Sequence, residues 1–218
     1  MGENRKKKLL ILWRIAFSFI ILSAILVRAG IFNSFSQLQT LYSFTSVSGT
    51  YILLITLITI FNTNENRSKG ISTARSIGVM MILITGLIYH FILLPQKILE
   101  NPNYEVFTYG NIVAHYITPL LMFMEWLLFD EKGKINKWEP LICSVIPCAY
   151  FIVFSIYGYY GTTISGKDTS YVYFFMDWGR LGATGVIKWS FFLLVGILCL
   201  TYFIYLIDYL MGKRKCSR

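Results

Sequence analysis

Long apolar runs separated by short polar breaks dominate this chain of 218 residues. Each run holds about 20 mostly apolar residues, the length that a helix needs to cross about 30 Å of hydrocarbon. The runs predicted as membrane spans are 9–31, 40–62, 72–94, 108–129, 139–160 and 185–210. Because the runs cover most of the chain, we expect an all-α protein. Residues 1–218 would form a single integral membrane domain, a bundle of six transmembrane helices.

The composition excludes one class of protein that the charge alone would suggest. The formal net charge is +9, and basic proteins often bind nucleic acid. However, 56% of the residues are hydrophobic and only 14% are charged, against about 25% charged in an ordinary soluble domain. A soluble core of this size cannot bury that much apolar surface. We therefore expect membrane lipids, and no nucleic acid, as partners.

The cysteines indicate neither a metal site nor a disulfide framework. Cys143, Cys148, Cys199 and Cys216 form no CxxC pair, and no histidines are interleaved with them at the spacing of a zinc site. We expect no metal and no cofactor.

Basic residues predict the orientation in the membrane, because cytoplasmic loops retain Lys and Arg. Fourteen of the twenty Lys and Arg residues fall on one side of the predicted topology. We therefore expect a multi-pass protein of the cell membrane with both termini cytoplasmic. The first run is too long for a signal-peptide core and lacks an A-x-A-like site, so we expect it to stay attached. Arg14, near its cytoplasmic end, would reach the interface with its long side chain.

The fourth span carries a polar stripe. Its members, spaced by steps of four, three, four and three residues, are Asn111, His115, Thr118, Met122 and Glu125. At 100° per residue they stay within a stripe roughly 80° wide, which should face the interior of the bundle. Glu125 lies toward the cytoplasmic end, where we expect it to pair with Arg14 or with loop lysines.

A hydroxyl and an imidazole lie at similar predicted depth in the outer leaflet. Thr45 is in the first turns of span 2, with Ser48 on the same helix face, and His115 is about two turns inside span 4. Together they are the minimum set for acyl transfer, since histidine can take the proton of an attacking hydroxyl. The residues that could bind substrate or stabilise the oxyanion are Asn111, Tyr89, His90, Arg28 and Ser48, and the sequence does not choose among them.

A structural interpretation competes with the catalytic one at each of these positions. Ser and Thr in membrane helices usually bond to their own backbone or to a neighbouring helix. A buried histidine often serves as a structural hydrogen-bonding group. The catalytic hypothesis is stronger for His115 than for His90, because His115 belongs to the polar stripe.

Four segments of the chain resemble one family. They are Tyr42–Thr45, Thr85–His90, Asn111–Pro119 and Met124–Asp130. In order and in helix number they are similar to the bacterial branch of the six-helix androgen-induced membrane proteins. Eukaryotic members of that superfamily are threonine hydrolases of fatty acid esters of hydroxy fatty acids, so the resemblance implies a nucleophile at Thr45 and a base at His115. The chain departs from the bacterial members at Gly49, where they carry asparagine.

Two functions follow as expectations. The first is an integral membrane lipid-ester hydrolase whose threonine attacks fatty acid esters of hydroxy fatty acids or related lipids. The alternative is a non-catalytic lipid-binding or transport protein that uses the same polar residues to hold a headgroup. A transporter is less favoured because no predicted span is broken by paired Gly and Pro.

Overall fold

The computed structural model describes residues 3–31, 38–62, 69–161 and 170–216. Within these ranges the chain forms six long helices and no strand. They are α1 (Glu3–Arg28), α2 (Phe44–Phe61), α3 (Lys69–Glu100), α4 (Tyr109–Phe129), α5 (Glu139–Tyr160) and α6 (Trp178–Cys216). All six are long and apolar enough to cross a membrane, which confirms the predicted all-α architecture and is consistent with a multi-pass membrane protein.

Helix α1 differs from its predicted range, 9–31, at both ends. It begins at Glu3 because the Lys and Arg residues before the apolar run are themselves good helix formers. It ends before Gly30, whose φ of 76° is the left-handed conformation that terminates many helices. The N–H of Ile31 then donates to the carbonyl of Leu26 at 3.2 Å, which satisfies a carbonyl group at the helix end.

Helix α2 begins at Phe44 instead of near residue 40. Residues Leu38–Tyr42 form a separate 3-10 turn, and Ser43 caps the helix that follows. The backbone of Ser43 is extended, and its hydroxyl accepts the N–H of Ser46 at 3.3 Å. This cap fixes Thr45 in the first turn of α2.

Helices α3 and α6 are longer than predicted, whereas α4 and α5 match 108–129 and 139–160 to within one residue. Helix α3 continues through Pro95 to Glu100, although the predicted span 72–94 stops before the proline. Helix α6 begins at Trp178 instead of residue 185. Its first turn is joined to the rest at Gly182, where φ is 63° and ψ is 172°. Only glycine adopts this conformation readily.

Helix α3 is the centre of the bundle and contacts α2, α4, α5 and α6. Its residues Val79–Ile82 are almost completely buried. Helices in a bilayer associate through close packing, because lipid tails are as apolar as the side chains. At Gly78 a Cβ atom would lie 2.8 Å from the Ile52 side chain, so the small residue allows α2 and α3 to approach closely.

One end of the bundle, where α1 begins and α4 ends, holds a buried group of charges that we call the charged end. Glu125 accepts from Arg14 at 2.8 Å and from Arg75 at 2.9 Å, and Arg75 also pairs with Asp130 at 3.0 Å. The pairing of Glu125 with Arg14 is confirmed. The predicted reach of Arg14 to the interface is wrong, because its side chain is 0% exposed and bonded inside the bundle.

Candidate functional site

The opposite end of the bundle holds a group of polar and aromatic side chains around one arginine. Arg28, the last residue of α1, donates to the Ser43 hydroxyl at 3.0 Å. Among the described residues no carboxylate lies within ion-pair distance of Arg28. The other members, which lie close enough to Arg28 to interact with it electrostatically, are Tyr89, Tyr104, His115 and Tyr173. We call these six residues the polar cluster.

Two π-helical turns meet at the polar cluster. One comprises Tyr89–Leu93 in α3, and the other comprises Val113–Ile117 in α4. A proline follows each turn at the same spacing, Pro95 in α3 and Pro119 in α4. Proline cannot donate to the carbonyl four residues before it, which favours a wider turn at that point. Such turns occur frequently at functional sites, so they mark this region as the candidate site.

The π turns bring together the rings of Tyr89 and His115. The rings are parallel to within 4° with centroids 3.6 Å apart, and both residues are almost fully buried. Gly86 allows this approach, because a Cβ atom there would lie 3.0 Å from the carbonyl oxygen of His115. The Nδ1 atom of His115 is buried and has no hydrogen-bond partner among the described residues. The imidazole is therefore held by stacking.

A hydrogen-bonded network extends from Tyr89 toward the surface. The Tyr89 hydroxyl lies 3.4 Å from that of Tyr104, which also accepts from Asn111 at 2.9 Å and from Lys97 at 3.1 Å. Burial alone would raise the pKa of Tyr104, but the hydrogen bond with Tyr89 and the charge of Lys97 outweigh burial and lower that pKa. Asn111 is thus connected to His115 through two tyrosines.

Thr45 lies beside a tyrosine from the connection between α5 and α6. The phenol oxygen of Tyr173 accepts the N–H of Phe44 at 2.9 Å, and the phenol also interacts with the Thr45 side chain. Burial raises the pKa of Tyr173, although the Phe44 N–H and the charge of Arg28 act in the opposite direction. The phenol therefore stays protonated at neutral pH.

Thr45 lies in the wall of a large cavity of about 430 Å³, which is lined almost entirely by apolar side chains. Its volume falls in the range of ligand-binding pockets. Three of its lining residues lie on the outer surface of α5 and α6: Ile152 is 59% exposed, Ile187 is 62% exposed and Phe191 is 69% exposed. The cavity therefore opens between these helices onto the lipid-facing surface of the bundle.

A small cavity of about 20 Å³ also has Thr45 in its wall. Its other lining residues include Arg28, Ser46, Gly49, Ala114 and Thr118. Because Ala114 and Thr118 flank His115 in α4, Thr45 and His115 lie at similar depth on neighbouring helices. No hydrogen bond joins their side chains within the described ranges.

The remaining predicted residues divide into two groups. Tyr89, Asn111 and Arg28 belong to the polar cluster or bond to it, as described above. His90 instead is exposed, with its Nδ1 3.1 Å from the Tyr116 hydroxyl. Ser48 is buried and lies 2.9 Å from the Thr85 hydroxyl, a contact that joins α2 to α3.

Sequence reasoning missed Tyr173, Tyr104 and Lys97, which all lie at or beyond helix ends. The sequence does contain one indication of Tyr173. The segment Tyr171–Met176 is strongly aromatic and apolar although it belongs to a connection between spans. A connection of that composition is more typical of a buried segment than of an exposed loop.

Comparisons with protein-family models, with curated proteins and with solved structures find no match to this chain. In the part of the chain that the structure describes, no group of three or more His, Cys, Asp or Glu residues is placed to hold a metal ion. The geometry around Thr45 is therefore the basis for assigning a function.

Proposed function

We propose that this protein is an integral membrane hydrolase of lipid esters, with Thr45 as nucleophile and His115 as general base. The observation that carries the proposal is the presence of Thr45 in the wall of an apolar cavity that opens onto the lipid-facing surface. An acyl chain that enters this cavity from the bilayer brings its ester group to the Thr45 hydroxyl.

In the first step, Thr45 Oγ attacks the ester carbonyl carbon while His115 takes the hydroxyl proton. The bond to the leaving alcohol breaks, the alcohol receives that proton, and the acyl group stays on Thr45. In the second step, water releases the acid and restores the hydroxyl. Arg28 is the donor best placed for the oxyanion, because it lines the small cavity together with Thr45.

The proposal requires the His115 side chain to move toward Thr45 when substrate binds. His115 is stacked on Tyr89 and makes no hydrogen bond to Thr45. Catalytic hydrogen bonds are often formed fully only in the complex with substrate. Because the His115 side chain makes no hydrogen bond to any of the described residues, such a movement breaks none among them.

The likeness of segments 111–119 and 124–130 to the androgen-induced membrane proteins supports the proposal. We also place the charged end in the cytoplasm of the cell, with both termini, and the polar cluster in the outer leaflet, since the basic residues are concentrated at the charged end. In a cysteine-free background, a membrane-impermeant maleimide should label Asn103→Cys in intact cells and should spare Lys134→Cys. The reverse pattern would contradict this orientation.

The hydrolase proposal is tested with the purified protein and the p-nitrophenyl ester of a medium-chain acid. We expect Thr45→Ala and His115→Gln each to lower the rate at least about 100-fold, because each removes a group that acts in the transition state. Thr50→Ala is the matched control, since Thr50 is an exposed residue of the same helix. Thermal unfolding checks that each variant is folded.

A phosphonate probe directed at serine and threonine nucleophiles gives a second measurement. We expect a covalent adduct on Thr45 by peptide mass spectrometry. An adduct at another residue, or full activity in Thr45→Ala, would exclude Thr45 as the nucleophile.

The second candidate function is a non-catalytic lipid-binding or transport protein. The absence of a hydrogen bond between Thr45 and His115, within the residues described, favours it. This candidate predicts that lipid binding survives Thr45→Ala and that the phosphonate forms no adduct.

A further inference from the structure

The small cavity, at about 20 Å³, is too small to hold an acyl chain. It forms between α1, α2 and α4 because Gly49 has no side chain, and a Cβ atom there would meet no atom within 4 Å. Its volume of about 20 Å³ exceeds the 10–15 Å³ or so that one water molecule requires.

The residues that line the small cavity include several with hydrogen-bonding side chains, among them Arg28, Thr45 and Thr118. The Nε atom of Arg28 is buried with no partner among the described residues. Thr118 makes no side-chain hydrogen bond within the same ranges, and Thr45 supplies a third polar group. Buried waters typically make about three hydrogen bonds to such groups. The size and the polarity of the cavity therefore both suit a single water molecule.

We propose that the small cavity binds the water molecule that hydrolyses the acyl group on Thr45. This inference rests on the proposed hydrolase function. The oxygen of the water attacks the acyl carbonyl carbon, and the bond from that carbon to Thr45 Oγ breaks. One proton of the water passes through His115 to Thr45 Oγ, and the fatty acid leaves with the oxygen of the water.

In this proposal the two reactants reach Thr45 from two different cavities. The acyl chain occupies the large cavity, whereas the water stands on the side of Arg28, Gly49 and Thr118. Filling the small cavity should block the second chemical step and spare the first.

Gly49→Ala is the variant that tests this inference. Its methyl group enters the small cavity without a clash, and alanine is a better helix former than glycine, so we expect the fold to be retained. Gly196→Ala is the matched control. Gly196 is an exposed residue of α6 at which a Cβ atom also meets nothing within 4 Å.

The experiment measures p-nitrophenol release at steady state and, on quenched samples, the fraction of the intact protein that carries an acyl group. We expect Gly49→Ala to slow turnover at least tenfold while its acylated fraction rises toward one group per chain. Thr118→Val removes one hydroxyl at nearly constant volume. It should also slow turnover and raise the acylated fraction, but by less than Gly49→Ala. Gly196→Ala should match the unmodified protein.

The outcomes separate this inference from the function on which it rests. Slower turnover of Gly49→Ala without accumulation of acyl protein, or unchanged turnover, overturns the water site and leaves the hydrolase standing. If the unmodified protein is neither acylated nor active, the hydrolase proposal and the water site are both overturned.

Discussion

Tyr173 connects the backbone of α2 to the candidate nucleophile through one phenol group. The phenol oxygen of Tyr173 accepts the N–H of Phe44. Phe44 is in the first turn of α2, so its N–H has no carbonyl partner within the helix. We expect Tyr173→Phe to lower the free energy of unfolding by about 1–3 kcal/mol, since a buried donor loses its acceptor. Denaturant unfolding in detergent, followed by circular dichroism, measures this loss.

Tyr157→Phe is the control for this substitution, because Tyr157 is 47% exposed. We expect it to change the same free energy by less than about 0.5 kcal/mol. If the two substitutions lowered the free energy of unfolding equally, the hydrogen bond between Tyr173 and Phe44 would make no measurable contribution to stability.

These residues also show what sequence alone could predict about the site. Thr45 and His115 could be singled out as candidates because polar groups at membrane depth are rare and stand out against apolar runs. Tyr173 was not, because the packing of a connecting segment against a helix end follows no periodic pattern. The stacking partner of His115 was also hidden, since only the tertiary structure decides which of its two faces is covered.

Helix α4 shows how an element can position a side chain by an irregularity. Its π turn depends on Pro119, which has no N–H to donate to the carbonyl of His115. In Pro119→Ala an ordinary helical hydrogen bond to that carbonyl becomes possible. We expect the turn to close and the His115 side chain to rotate about the helix axis, away from Thr45 as well as from Tyr89.

Pro119→Ala should therefore lower hydrolysis without lowering stability. Proline inside a helix is about 3 kcal/mol less favourable than alanine, so the unfolding temperature should hold or rise while the hydrolytic rate falls at least tenfold. Thermal unfolding and the p-nitrophenyl ester assay measure the two effects. Pro140→Ala, in the first turn of α5, should leave both quantities nearly unchanged. A rate that falls only in proportion to the folded fraction would refute this role of the π turn.

The spans themselves were predictable because hydrocarbon thickness sets helix length and hydropathy reveals it. Their ends were less predictable, as α3 illustrates. The sequence predicts that the helix stops before Pro95. In the structure the wider π turn at Tyr89–Leu93 accommodates the proline, and the helix continues to Glu100. Whether a proline ends a helix or is absorbed into it depends on neighbours that a single sequence does not display.

At the scale of the whole molecule, the two ends of the bundle use different interactions. The charged end joins α1, α3 and α4 through Glu125, whose carboxylate forms ion pairs with both Arg14 and Arg75. We expect Glu125→Gln to lower the free energy of unfolding by about 3–5 kcal/mol, because buried guanidinium groups lose a counter-charge that they cannot replace from water. Unfolding in detergent measures the effect.

Glu131→Gln provides the comparison, since Glu131 pairs with Lys134 at 3.3 Å and its side chain is 75% exposed. An exposed pair contributes at most about 1 kcal/mol. If Glu125→Gln were no more harmful than Glu131→Gln, the buried charges would not stabilise the bundle.

The mouth of the large cavity between α5 and α6 has a consequence for kinetics. A ligand that enters between Ile152 and Phe191 arrives by diffusion in two dimensions, within one leaflet. Its rate of arrival then depends on its mole fraction among the surrounding lipids and hardly at all on its amount per volume of water. Adding inert lipid at a constant total amount of substrate should therefore lower the rate of hydrolysis. Adding buffer at a constant ratio of substrate to lipid should leave that rate unchanged.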